Sequence, residues 1–235
     1  MPVFFQPDIA DQPFLSEEES RHAVKVLRMN AGETLQIADG RGGWYEAEIR
    51  RADARRCEVS ILRKTIPAPR PFYIHLAIAP TKNMDRVEWM LEKCVEIGLD
   101  EISFIESRYS ERRALKLERL RSVAISALKQ AQQAWLPRLN DLGRLTDFLK
   151  KFPVPNPDSQ LFIGHLEEGE RKLLQREAKP GQKYVVLIGP EGDFSTEEIQ
   201  WANATGFQSI SLGSSRLRTE TAGLVAVHIL NLINQ

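Results

Sequence analysis

Two rhythms of apolar and polar residues alternate along most of this chain. Tyr73–Ala79, Glu101–Ile105, Leu161–Gly164, Tyr184–Ile188 and Ser209–Leu212 are short runs rich in β-branched and apolar side chains, as expected of strands. Between them, Asp85 to Ile97 places Val87, Met90, Leu91, Cys94, Val95 and Ile97 at helical spacing and ends at Gly98, and Arg112 to Trp135 reads as a second helix stopped by Pro137. Leu173–Lys179 is at most a short helix, and Ala222 to Ile233 is apolar nearly all round. Such a helix belongs in a core or a subunit interface. Strands alternating with helices predict an α/β unit with a mainly parallel sheet covered on both faces. The residues before position 67 follow a different pattern. Ser16-Glu17-Glu18-Glu19 has the form of a capped helix start, and that helix is expected to run to about Leu27. Thr34–Ala38, Gly43–Arg50 and Arg56–Lys64 are strand-like and separated by turn residues. A small helix-bearing barrel fits them, and so does an open β-sandwich. Pro67-Ala68-Pro69-Arg70-Pro71 supports neither helix nor central strand. It therefore divides residues 1–70 from residues 71–235. Phe152 to Asp158, with three prolines, is expected to be a loop.

Charge changes this picture only locally. The 235 residues carry 32 basic and 32 acidic side chains, so the whole-chain balance points to no acidic partner. Two cysteines, Cys57 and Cys94, are too few for a ligand-rich metal site or a disulfide framework. The first residues lack the basic flank and apolar run of a signal peptide, and no apolar run is long enough to span a bilayer. The expectation is a cytoplasmic, soluble protein with no membrane segment and no metal.

Candidate chemistry concentrates in two glycine-bearing loops, each between a strand and a helix. Gly189-Pro190-Glu191-Gly192-Asp193-Phe194 is followed by Ser195-Thr196-Glu197-Glu198, a capping box. It lacks the Gly-Lys-Ser/Thr of a phosphate-binding loop and the Gly-x-Gly-x-x-Gly of a dinucleotide fold. Glu191 and Asp193 would repel a pyrophosphate, so a neutral or cationic ligand edge suits this loop better; a tight turn with no ligand fits it too. The second loop, Gly213-Ser214-Ser215-Arg216-Leu217-Arg218, leads into Thr219-Glu220-Thr221. Its two arginines beside a helix start suit an anion, or are solvated and paired with Glu220. In open α/β sheets ligands bind beyond the carboxyl ends of strands, where both loops lie. His228, on the final helix, reads as a satisfied buried histidine and Asp85 as a helix cap.

Basic residues also cluster. Arg21, Lys25 and Arg28 stand at spacings of four and three, one face of an α-helix. Arg50-Arg51, Arg55-Arg56 and Arg63-Lys64 punctuate the β-rich part, and Arg108, Arg112, Arg113, Lys116, Arg119 and Arg121 form a further stretch. Each is readable as a solvated face; together they favour RNA.

Gly189-Pro190-Glu191-Gly192-Asp193-Phe194-Ser195 and Leu217-Arg218-Thr219-Glu220-Thr221-Ala222 resemble the two signature loops of the bacterial 16S ribosomal RNA (uracil-N3) methyltransferases, members of the SPOUT superfamily. His22, Val26-Leu27-Arg28 and Gly32, then Lys82, Asp85-Arg86, Glu88, Lys93 and Glu96-Ile97-Gly98 extend the resemblance over the whole chain. The chain departs from similar proteins at Lys129-Gln130 with Gln133, and at Ser214-Ser215. The resemblance implies an N-terminal PUA-like β-barrel for RNA and a C-terminal α/β domain with a deep trefoil knot. It implies S-adenosylmethionine held by Leu187, Ile188, Gly189 and Gly192, then Leu212, Gly213, Ser214 and Leu217. It also implies a homodimer that uses the knot helices, and 16S rRNA of the small ribosomal subunit as partner. For uracil N3, which must lose a proton to become nucleophilic, Arg218 is the candidate anion stabiliser and Glu220 the candidate base or a helix cap. Arg21, Lys25, Arg28, Lys82, Arg86 and Arg108 are the candidate RNA contacts. Two rivals remain at this level: methylation of a ribose 2′-hydroxyl or another base, and a non-catalytic RNA-binding module.

Overall fold

The computed structural model describes residues 1–152, 158–167 and 171–235; the expected loop over Phe152–Asp158 lies largely outside the described residues. Two compact units form, one of Met1–Pro69 with Ile125–Leu136 and one of Arg70–Ala124 with Pro137–Gln235. Their first boundary falls within the proline-rich segment, where no helix or strand forms.

The first unit holds a four-stranded sheet in the order β1-β2-β3-β4, with β1 Val3–Phe5, β2 Thr34–Ala38, β3 Trp44–Arg51 and β4 Glu58–Thr65. β1 runs parallel to β2 and the other pairs are antiparallel. Alternation on β3 sends Tyr45, Ala47 and Ile49 inward against Leu35, Ile37 and Phe4. α1 (Glu17–Arg21) starts as its sequence requires, the Ser16 side chain accepting from the Glu19 amide. It continues as a π-helix over His22–Val26, and Arg28 takes a left-handed φ of 57°. Arg21, Lys25 and Arg28 are therefore exposed but do not form the single α-helical face expected from their spacing, because the winding changes between them. The pairing of residues 125–136 with this unit was not foreseen. It rests on Lys129 Nζ, 2.7 Å from Glu19 Oε1, and on amide bonds from Gly42 to Ala134 and from Leu136 to Gly40.

The second unit is a seven-stranded sheet in the order β7-β6-β5-β10-β8-β11-β9, every pair parallel. The strands are β5 Tyr73–Ile78, β6 Glu101–Glu106, β7 Arg138–Arg144, β8 Gln160–Gly164, β9 Lys172–Leu173, β10 Lys183–Ile188 and β11 Gln208–Ser211. The helices are α2 Met84–Ile97, α4 Leu145–Leu149, α5 Leu174–Glu177, α6 Thr196–Ala204 and α7 Thr219–Leu232, together with the start of α3 (Leu117–Gln130), whose residues from Ile125 on belong to the first unit. Both sheet faces are covered. Ala77, Ile163, Val185 and Leu187 meet Phe148, Ile199 and Ala202 of α4 and α6. On the other face, a side chain at Gly223 of α7 would strike Ile78 of β5 at 2.8 Å and approach Met90 of α2 at 3.5 Å.

Where periodicity misjudged an element, the cause is local. α3 begins at Leu117 and ends at Gln130, well inside the expected Arg112–Trp135. Its end is a Schellman turn, with Gln133 N–H bonded to the Leu128 carbonyl, Gln132 N–H to that of Lys129, and Gln132 at φ 53° in the place glycine usually takes. β1 and the polar edge strand β7 were missed because neither shows a sustained apolar run. Asn83, not Asp85, caps α2: its side chain accepts from the Asp85 amide. α7 buries only part of its surface; His228 is exposed, and so is Leu232 at 56 %, which corrects the buried reading of that histidine. The helix is tied down by Asn231, whose amide donates to the Gly98 and Val227 carbonyls and accepts from Arg70, itself paired with Asp100 at 2.6 Å. Gly98 ends α2 at φ 104°, a conformation that favours glycine.

Candidate functional site

Register decides where the site forms. Gly164 of β8 pairs with Ile188 of β10 and with Ile210 of β11, so three neighbouring parallel strands end side by side. Their following loops enclose a cavity of about 600 Å³, within the range of small-molecule sites. Ile188, Gly189, Leu212, Gly213, Ser214 and Leu217, all singled out from the sequence, line it, together with Arg218, Glu220 and Arg86. Leu187 and Gly192 do not line it. Leu187 is fully buried in the core behind, and Gly192 faces Tyr109, whose Cβ lies 3.0 Å from where a side chain would begin.

The loop after β10 is shaped by its acids. Asp193, at φ 66°, accepts from the Leu166 and Phe194 amides at 2.7 and 2.8 Å, which ties this loop to the one after β8. Glu191 accepts from the Lys82 amide at 3.4 Å. The capping box is complete: Ser195 Oγ accepts from the Glu198 amide, and the Glu198 carboxylate accepts from the Ser195 amide, a device worth about 1 kcal/mol. Gly189 lies against the Phe194 ring, where a Cβ would come within 3.1 Å. In the second loop Ser211 Oγ donates to the Gly213 carbonyl and accepts from the Gly213 amide, and Gly213 takes a φ of 143° with open space where a side chain would stand.

Several side-chain atoms of the cavity wall are buried with no hydrogen-bond partner among the described residues. Glu220, only 6 % exposed, has Oε1 3.8 Å from Arg86 Nε, and its Oε2 has no hydrogen-bond partner. Arg86, rather than Arg216 or Arg218, is thus the cation beside it. Leaving a buried acceptor unmade costs about 1–3 kcal/mol, the kind of debt a ligand removes. His165 has both ring nitrogens unpartnered, and Arg171 leaves Nε unpartnered while bonding the His165 carbonyl. Burial holds the His165 imidazole below the usual histidine range; Asp193 opposes that shift and Arg171 adds to it. His165 and Arg171 were missed from sequence. The available signal was Gly164, a glycine closing an apolar strand just before His165. Arg218 is the N-cap residue of α7 and is exposed.

The other expected basic contacts lie elsewhere. Lys82 pairs with Glu111 at 3.1 Å, and Arg108 with Glu197 at 3.2 Å, its amide also bonding Glu198. Arg21, Lys25 and Arg28 belong to the first unit. Among the described residues no cluster of histidine, cysteine and carboxylates is placed to hold a metal ion, and no helix is long and apolar enough to cross a membrane.

Residues 68–231 match the family model described as an RNA methyltransferase domain, and residues 15–62 match that of an RNA methyltransferase PUA domain. A probable rRNA methyltransferase from Porphyromonas gingivalis has a crystal structure of TM-score 0.93 to this chain at 42% identity, covering 100% of this chain and 98% of its own. The ribosomal RNA small subunit methyltransferase E of Neisseria gonorrhoeae, crystallised with S-adenosyl methionine, gives a TM-score of 0.88 at 28% identity, covering 100% and 98%. The protein of the same name from Rickettsia conorii is 26% identical over 93% of this chain and 89% of its own length. With one matched domain over most of the four-stranded sheet and the other over the whole parallel sheet that carries the cavity, the chain belongs to the RNA methyltransferase family.

Proposed function

We propose that this protein methylates N3 of a specific uridine in the 16S rRNA of the small ribosomal subunit, using S-adenosylmethionine. The observation that carries the reading is the cavity at the ends of β8, β10 and β11, where main-chain loops and the under-partnered Glu220 meet. The cofactor fits the residues present. Ile188, Ile210, Leu212 and Leu217 offer apolar walls for an adenine, Gly189, Gly213 and Ser214 offer main-chain groups at close range, and the unpartnered nitrogens of His165 and Arg171 suit hydroxyls and a carboxylate. Leu187 supports this wall from the core behind it. When bound, S-adenosylmethionine supplies an electrophilic sulfonium methyl that needs little activation.

What the protein must supply is a deprotonated N3, correctly placed. Glu220 Oε2, buried and without a hydrogen-bond donor, is the acceptor for the imide proton. Arg218 donates to the uracil oxygen on which negative charge develops. Arg86 stays beside Glu220 and balances its charge before the proton arrives. Arg21, Lys25, Arg28, Lys82 and Arg108 grip RNA phosphates away from the reacting base, and the first unit acts as a PUA-like barrel. The C-terminal segment forms a trefoil knot; the entry of β10 between β5 and β8, with β11 beyond β8, supports that threading. The exposed positions of α7 serve a homodimer interface. Ribosomal RNA as substrate implies work in the cytoplasm.

Calorimetric titration with S-adenosylmethionine and nucleoside analysis of treated small subunits test the reading. Saturable binding together with 3-methyluridine is expected. A 2′-O-methylated nucleoside would transfer the assignment to ribose methylation, and failure to bind cofactor or modify RNA would leave only RNA binding.

A further inference from the structure

Beside the cofactor cavity lies a second, more open depression of about 570 Å³, lined by Asp85, Arg86 and Trp89 of α2 and by Arg216, Leu217, Arg218, Glu220 and Thr221. Arg86, Arg216, Leu217, Arg218 and Glu220 border both spaces, so the two are continuous through the proposed reaction centre. Trp89 is 45% exposed, and the buried face of α2 is made by Val87, Met90, Leu91, Cys94 and Val95 instead. An indole left out of the core, beside arginines and one turn from Asp85 and Arg86, is a large π-surface in a polar, cationic setting. That combination suits a nucleotide: aromatic rings stack bases irrespective of sequence, and arginines neutralise the phosphates on either side. Glu220 adds the discriminating element, since its buried, unpartnered Oε2 is an acceptor for a ring N–H. A uracil carries such an imide N–H and a cytosine does not.

We infer that Trp89 is the stacking platform for the extruded target uracil, holding its imide edge toward Glu220 while Arg216 takes a flanking phosphate. This inference rests on the methyltransferase reading above and adds a base-recognition site to it. A base removed from RNA structure loses its stacking partners, and Trp89 replaces them. The depression favours a nucleotide over a second copy of the chain. Its lining holds three arginines and two acids, whereas exposed Leu232 of α7 lies roughly 16 Å along the helix from Thr221. The indole is a positioning residue: it takes no proton and forms no bond.

The test compares the wild-type protein with Trp89→Ala and Trp89→Phe, using unmethylated small ribosomal subunits as substrate. Trp89→Gln provides a second removal of the ring should the alanine variant fold poorly. For Trp89→Ala a loss of about tenfold or more in kcat/KM is expected, mostly through a raised KM for RNA. Cofactor affinity and oligomeric state should stay unchanged, and Trp89→Phe should recover most of the loss. Wild-type kcat/KM in the alanine variant overturns the inference. So does lost cofactor affinity, which would make Trp89 part of the cofactor site, or a changed oligomeric state, which would make it an interface residue. A wild-type protein that binds no cofactor and methylates nothing removes the functional reading instead, a result the variants cannot mimic.

Discussion

At the amino ends of β5, β6 and β7, half-buried polar groups satisfy one another; at the carboxyl ends of β8, β10 and β11, several find no partner among the described residues. In the first region Tyr73 donates to Glu101 at 2.8 Å, Asn140 donates to Glu101 and Ser103 at 2.6 and 2.9 Å, and His75 Nε2 lies 2.8 Å from Ser103 Oγ. In the second, Glu220, His165 and Arg171 each keep an unpartnered atom. A closed polar network contributes rigidity, because removing any member leaves at least one neighbour without a partner. An open set carries a desolvation cost that only a ligand relieves. One sheet thus has an end closed by its own hydrogen bonds and an end that opens on a cavity. Glu19 marks the limits of the rule. Its Oε2 is also without a hydrogen bond, but its Oε1 accepts from Lys129 and from the Phe5 amide, so that carboxylate is anchored within the first unit.

The comparison is broken most sharply at Arg218. Arg218→Ala is expected to lower the single-turnover methylation rate by about 10²–10³ while leaving calorimetric cofactor affinity and melting temperature near wild type. A near-normal rate would remove Arg218 from the chemistry. Glu220→Gln keeps the shape and loses the proton acceptor, so a fall of about 10² in rate is expected. The same variant should melt near wild type, because its partner Arg86 is partly solvated and loses little when the charge goes; a clearly lower melting temperature would place Glu220 with the structural groups. Replacing Arg21, Lys25 and Arg28 together with alanine should weaken RNA binding and flatten the plot of log affinity against log salt by about two units. An unchanged slope in a filter-binding series would dismiss these three as phosphate contacts.

The structural end gives the smallest effects and the opposite signature. Asn140→Ala should cost about 1–3 kcal/mol in denaturant unfolding with methylation rate intact. His75 also predicts a pH dependence. Burial lowers its pKa from 6.5 to about 4, with Glu101 opposing. The unfolded chain therefore takes up a proton before the folded one does. Stability from this group is complete above about pH 6.5 and is lost as pH falls toward 4. Melting temperature should drop between pH 7 and pH 5 in the wild type, and less in His75→Asn. Equal slopes would assign the dependence to other groups.

Much of this was legible in the residues. The capping box at Ser195 and Glu198, the break at Pro67–Pro71, the stop at Gly98 and the runs that became β5, β6, β8, β10 and β11 are local signals, and local geometry obeyed them. That the two glycine loops would line a cavity was legible because glycines, a strand end and a helix start stand together in sequence. What only the tertiary structure decided is which distant groups meet. Parallel pairing brought Gly164 beside Ile188 and Ile210, and with it His165, Leu166 and Arg171 to a cavity otherwise built from Arg86 and from residues between 188 and 222. Helix packing set Arg86 and Trp89 of α2 beside Glu220 of α7. The Schellman turn at Gln132 and the π-helix after Arg21 also escaped pattern reading. The physical reason is common to these cases. Propensity and periodicity act over one or two turns of chain, whereas strand register and helix packing are chosen by the burial of the whole sheet, which no short window contains.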